Sequence, residues 1–256
     1  MNPLRPLSVP GYRPLYAAMV LTVFAQGAWA LYLAMQTLDL GATAATLSSV
    51  VAWSGIGLLA GSLPAGVLAD RVAKKSIIVG VLTVNLAAST TTSTAAIFDA
   101  ATFWMLAVSA FVIGVSTAFF FPAYTALVPV LVGSDDLMAV NGLEGTTRPL
   151  VGQTLAPGVV GAVIGASVPA AGGYLIAGAL GLALIAALRL PAPCSAETDA
   201  EAPATSALRD LLDGFGYVAR TRWVRSSVLL AAAMGLAVTG PLDVCLLYTS
   251  PSPRDL

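Results

Sequence analysis

Seven long runs with almost no charge dominate the chain, at residues 15–38, 44–69, 76–97, 101–128, 143–165, 168–190 and 226–247. Each is near or above the ~20 apolar residues that a helix needs to cross the hydrocarbon core of a bilayer. Few folds accept such runs. Inside lipid every backbone N–H and C=O must be bonded within the protein, so a run of this kind is a helix. Composition agrees: 57% of the 256 residues are hydrophobic and 10% charged, against about a quarter charged in a soluble domain. The expected fold is all-α, a polytopic transmembrane helical bundle. The first run follows residues 1–13, which carry three prolines and two arginines. It is longer than a signal-peptide core, so it reads as an uncleaved first span.

Connections between the first six runs are short, which makes consecutive helices antiparallel neighbours. Basic residues then fix an orientation. With the N-terminus inside, the cytoplasmic segments hold Arg5, Arg13, Arg71, Lys74, Lys75, Arg189, Arg209, Arg220, Arg222 and Arg225, and the external loops near Asp39, Asp99 and Ala166 hold none. Four regions follow. Residues 1–190 form a six-helix transmembrane half, and 191–225 a cytoplasmic linker. Residues 226–244 form a seventh helix, the start of a second half, and 245–256 a tail. Residues 191–203 are too polar and proline-rich to bury a core. After them Leu208, Leu211, Leu212, Phe215 and Val218 recur at helical spacing, as in a helix lying on the inner membrane surface. The string from Cys245 ends the last run abruptly and resembles translated adapter sequence, so the natural protein is expected to continue past about Val244.

Several functions are excluded or unsupported. The chain has no histidine, which rules out His-dependent catalysis, including a Ser–His intramembrane protease, and imidazole metal ligation. Cys194 and Cys245 are too few and too far apart for a disulfide framework or metal site. A net charge of −1 with no basic patch gives no footprint for nucleic acid. No enzyme activity, cofactor or metal is expected. Gly214–Ala219 spells a dinucleotide-like pattern, but it follows no strand and carries no such reading.

Between the second and third runs lies Gly66-Val67-Leu68-Ala69-Asp70-Arg71-Val72-Ala73-Lys74-Lys75, which holds both lysines of the chain. It fits the pattern Gly-x-Leu-Ala-Asp-Arg-x-Gly-Arg/Lys-Lys, and here the chain resembles the major facilitator superfamily of transporters. Gly66, Asp70, Arg71, Lys74 and Lys75 match, while Ala73 replaces the second glycine. The resemblance implies a conformational-switch loop. Gly66 is expected to let two helices approach closely, Asp70 to hold Arg71 or cap a helix end, and the lysines to anchor the loop. A second stretch, Phe119–Pro129 followed by Leu137–Gly142, resembles the branch containing macrolide-efflux and enterobactin-export proteins. In it Pro122 and Pro129 are expected to break or kink the fourth helix, Asp135 and Asp136 to favour the next helix N-terminus, and Asn141 to cap it.

The fifth run carries Gly152, Pro157 and Gly161, which match the family's antiporter motif; Ala156 and Val160 stand where it has glycines. Such residues permit a close, bendable contact with a helix of the other half. Upstream, Glu144 and Arg148 are four residues apart in the favourable order for an intrahelical pair. Ionisable groups at membrane depth are costly and usually face the bundle interior or a wet cavity. The pair therefore reads either as a coupling or gating network or as a static salt bridge. In this fold the resemblance implies that helices one and four line the substrate cavity, which makes Gln26, Trp29 and Tyr124 candidate contacts; each is equally readable as an interhelical packing group. One departure stands out. Members with the family's coupling motif carry an arginine four residues before Gly114, and here that position is Ala110. Hydroxyls of Ser89–Thr94 are expected to bond back to their own helix.

Together these features imply a multi-pass protein of a bacterial inner membrane, N-terminus cytoplasmic. The resemblance to the macrolide-efflux and enterobactin-export branch implies proton-driven export of a small-molecule substrate, a drug, antibiotic or siderophore, with the lipid bilayer as its surroundings. The alternative is a complete seven-helix membrane protein with a receptor or structural role.

Overall fold

The computed structural model describes residues 5–190, 220–234 and 237, and the chain divides into two compact units, 1–199 and 200–256. In the first unit, helices α1 (Tyr12–Asp39), α2 (Ala44–Arg71), α3 (Lys74–Ile97) and α4 (Phe103–Val132) are followed by α5 (Leu137–Pro149). A π-helical segment, Leu150–Leu155, leads into α6 (Ala156–Ala166), and α7 (Pro169–Leu188) closes the unit. Six stretches are long and apolar enough to cross a membrane, with α5, the π segment and α6 forming one of them, Leu137–Ala166. In the second unit α8 (Arg222–Met234) is described. It begins in the last residues of the expected linker and overlaps the start of the seventh run; linker residues 191–219, the rest of that run apart from 237, and the tail lie outside the described residues.

Local chemistry explains where the helices start and stop. Thr43 and Thr102 cap α2 and α4, each Oγ1 accepting the backbone N–H three residues on. Gly133 ends α4 with φ +78°, a conformation that costs glycine nothing. Pro149 offers no N–H to the Gly145 carbonyl, and Pro157 none to Gln153. The six residues of wider π geometry sit between these two prolines.

Three sequence expectations are corrected here. The fifth span begins six residues earlier than expected, at Leu137, which places Asn141 inside α5 rather than at its cap. Pro122 and Pro129 do not break α4, which runs on to Val132. Near Pro122, Thr125 Oγ1 donates back to the Phe121 and Pro122 carbonyls of its own helix. And Gly66 makes no close approach among the described residues, since an added Cβ there would meet nothing within 4 Å.

The close approach lies earlier on α2 instead. A Cβ on Gly57 would overlap the Phe111 carbonyl, and one on Gly114 the Ser54 carbonyl; one on Gly61 would meet the Val115 backbone at 2.9 Å. Small residues thus let α2 and α4 cross with their backbones nearly touching. Hydroxyls of Thr90, Thr91, Thr92, Ser93 and Thr94 bond back to carbonyls of α3, as expected. Ser89 is the exception, donating across to the Gly173 carbonyl of α7. At the other end Lys75 Nζ donates to the Leu188 and Leu190 carbonyls at the end of α7, where a cation suits the helix C-terminus. That end, with Arg5, Arg13, Lys74, Lys75 and Arg189, is the basic end of the bundle.

The α2–α4 crossing gives a direct check. Gly114→Val places methyls where the Ser54 carbonyl sits, and overpacking of this kind costs about 1–3 kcal/mol. The thermal midpoint of the purified chain in detergent should fall clearly, whereas Gly80→Val, at a position where a Cβ meets nothing within 4 Å, should leave it nearly unchanged.

Candidate functional site

Glu144 sits seven residues into α5, about 10 Å along the helix from Leu137. Only 8% of it is exposed, and a carboxylate so placed needs donors. It has three. The hydroxyls of Tyr12 and Tyr124 both donate to Oε1, at 3.2 and 2.5 Å. Arg148 Nη2 donates to Oε2 at 2.7 Å. The tyrosines come from the start of α1 and the last third of α4, so one side chain ties three spans together. The expected Glu144–Arg148 pair is therefore formed, and it is a corner of a larger cluster.

The cluster is backed by aromatic rings. The Arg148 guanidinium lies 4.8 Å from the Phe121 ring centroid and 5.6 Å from that of Tyr124, within cation–π range. Phe120 stacks on Tyr124 with centroids 6.1 Å apart. One turn along α1 from Tyr12, the Tyr16 hydroxyl and Thr147 Oγ1 are 2.7 Å apart, a second link between α1 and α5. Below them Asp136 and Arg5 form an ion pair at 3.4 Å; Asp136 precedes α5 without a side-chain cap bond.

Above the cluster the fifth span packs on α1. A Cβ on Gly27 would overlap the Gly152 carbonyl, and one on Gly152 would meet Val23 Cγ1 at 2.9 Å. Gly161 faces Leu31, Ala156 is fully buried, and Pro157 stands in the first turn of α6. The sequence placed the close contact of these motif residues against another half of the protein. In the structure Gly152 and Gly161 approach α1 of their own unit.

The three candidate cavity residues do not share one site: Gln26 and Trp29 border the same small cavity, and Tyr124 does not. Tyr124 belongs to the Glu144 cluster. Gln26 Nε2 reaches Thr117 Oγ1 of α4 at a long 3.4 Å, and Trp29 is packed inside the unit with 5% exposed. A wider apolar groove of about 430 Å³ runs between α2, α3 and α4 past Leu68, Val81, Phe111 and Phe119, and it contains none of the three. Of the loop residues, Lys75 is engaged with α7; the side chains of Asp70 and Arg71 lie outside the described residues.

Sequence reasoning missed Tyr12, Tyr16, Thr117 and Asn85. Tyr12 lies 132 positions from Glu144, beyond any local pattern, whereas an amide in the middle of the third run was a visible signal for Asn85. If the carboxylate holds the three spans, Tyr12→Phe and Tyr124→Phe should each cost about 1.5–3 kcal/mol, the usual worth of a hydrogen bond to a charged group. Because both hydroxyls serve one oxygen, thermal unfolding of the double variant should show a loss that differs from the sum of the two.

The family whose sequence model matches the chain is the Major Facilitator Superfamily, over residues 15–252. No curated protein matches the chain, and no solved structure does.

Proposed function

The chain belongs to the Major Facilitator Superfamily, a family of membrane transporters, and from that premise we propose that it serves proton-coupled export of a drug, antibiotic or siderophore. The observation that carries the coupling part is Glu144, a buried carboxylate whose partners come from α1, α4 and its own helix. A group that gains or loses a proton at such a junction alters what holds three spans together, so its charge state biases one packing over another. Ala110 stands where the family's coupling arginine would be. Arg148, paired with Glu144, is the cation that would take over at this end of the cavity. The export direction and the substrate class rest on the resemblance of Phe119–Pro129 and Leu137–Gly142 to the macrolide and enterobactin exporters.

In this reading the basic end faces the cytoplasm of a bacterial inner membrane, following the distribution of lysine and arginine. Gly66, Asp70, Arg71 and Lys74 belong to the loop that switches with conformation, while Gly152, Pro157 and Gly161 give the fifth span its bendable contact. Gln26, exposed in part beside Thr117, is the best placed of the three cavity candidates. Residues 1–190 form one half of a transporter that binds substrate between two halves near the midplane. Apolar side chains exposed on α2 and the fifth span, among them Leu59, Met138 and Leu155, suit helices that pack against that second half.

Efflux tests the proposal. Cells expressing the full-length gene should export at least one member of a panel of macrolides, dyes and siderophores, and export should collapse when the proton gradient is dissipated. Glu144→Gln should uncouple export from the gradient while leaving substrate binding within a few fold. Undiminished gradient-driven export by Glu144→Gln would remove the coupling role, and failure to export any of the panel would remove the substrate class.

A further inference from the structure

Near the middle of the first unit, α1 and α3 both pack against α7 and α4 but share few direct contacts with each other. Where the four helices meet there is a small cavity with about 10 Å³ open to the centre of a water molecule. Its polar wall is Thr22, Gln26 and Trp29 of α1 and Asn85 of α3; Ile113 of α4 and Ile176 of α7 are among the apolar residues that close it. Two buried polar atoms of these residues are orphaned. Trp29 Nε1–H is a donor and Asn85 Oδ1 an acceptor, and neither has a hydrogen-bond partner among the described residues. They do not bond to each other, although both residues border the same space. Trp29 is 5% and Asn85 2% exposed, so bulk water does not satisfy them.

We propose that this cavity is a binding site for one ordered water molecule, which accepts from Trp29 Nε1–H and donates to Asn85 Oδ1. The size suits one water, which needs about 10–15 Å³ by this measure. It excludes any transported substrate. Partner chemistry fits as well, because a buried water is held by two to four polar groups. A second proton of the water has an acceptor available in Thr22 Oγ1, whose own hydrogen is given to the Ala18 carbonyl at 2.6 Å. An unpaired donor and an unpaired acceptor, on two residues of different helices that border one space, suit a gap that water fills more readily than protein does. An apolar side chain in place of either residue would leave the other unpaired. The water makes the α1–α3 contact polar at a depth where the surrounding helices are apolar, and Gln26 beside it reaches on to α4. This site stands independently of the transport reading.

Water-edited solid-state NMR of the full chain in lipid, with ¹⁵N-labelled indoles and a deuterated, back-exchanged background, tests it. The chain has four tryptophans, and Trp29→Phe identifies the Trp29 signal by its loss. Polarisation transfer from water to the Trp29 indole should build up about as fast as to the exposed Trp104 and Trp223. Asn85→Leu, which fills the space with methyl groups and removes the acceptor, should reduce that transfer at least threefold while leaving Trp104 and Trp223 unchanged. Absence of water transfer to Trp29 in the native chain would overturn the proposal, and so would transfer that persists undiminished in Asn85→Leu. Should Asn85→Leu fail to fold, Asn85→Ser keeps an acceptor and enlarges the space; it should retain the transfer, and its loss there would contradict the site.

Discussion

A carboxylate among apolar helices has to find donors, and much of this bundle's basic end follows from how Glu144 finds them. Leaving such a group unpaired at membrane depth costs several kcal/mol. Glu144 meets the demand with two tyrosine hydroxyls and one guanidinium, and those groups come from three different spans. The same requirement draws Arg148 over Phe121 and Tyr124. It sets Tyr12 against the fifth span, which in turn lets Tyr16 and Thr147 meet one turn further on. The opposite end is held by neutral contacts instead: Ser89 to the Gly173 carbonyl and Thr94 to the Tyr174 hydroxyl.

Between the two ends, packing depends on absent side chains. Gly57 and Gly114 bring α2 onto α4, and Gly27 brings α1 onto the fifth span at Gly152. Without a hydrophobic drive between helices in lipid, such close backbone contact is a main source of association. The spans are not equally enclosed. Half of the most apolar window of α1 is buried, against 17% for α2 and 11% for the fifth span. Those two helices carry their glycine contacts on one side and bare apolar surface on the other. Under the proposed reading that surface belongs to the contact between halves, and the Glu144 cluster sits where one of the contacting helices begins.

Much of this fold was legible in the sequence because its strongest determinants are one-dimensional. Length and apolarity locate five of the six spans of the first unit within about four residues of their ends, and most hydroxyls of α3 turn back on their own helix. The fifth span was less legible. Its first residues, Leu137–Gly142, include Asn141 and follow two aspartates, so the apolar run reads as starting after them, and the π segment at Leu150–Leu155 leaves no mark on the apolar pattern. Glycine was read correctly as a mark of close approach, but the sequence does not name the neighbours: among the described residues Gly66 meets nothing within 4 Å, while Gly152 meets α1. The site was half legible. Glu144 and Arg148 announce each other four residues apart, whereas Tyr12 and Tyr124 are joined to them only by the fold. An aromatic in a span has two readings, and Trp29 shows features of both: it is 5% exposed and borders the small cavity between α1, α3, α4 and α7.

The central claim is that the Glu144 cluster holds α1, α4 and the fifth span together at the basic end. Spin labels on a chain lacking Cys194 and Cys245 test this most directly. One pair would sit at Met138 and Leu188 of the basic end, another at Phe98 and Val168 of the opposite end, all exposed positions. Pulsed electron–electron distances are compared between the native cluster and the Tyr12→Phe/Tyr124→Phe chain. Loss of the two hydroxyls should broaden or lengthen the Met138–Leu188 distribution and leave Phe98–Val168 as it was. An unchanged Met138–Leu188 distribution would contradict the claim, because the fifth span would then keep its place at the basic end without the hydroxyls that tie the carboxylate to α1 and α4.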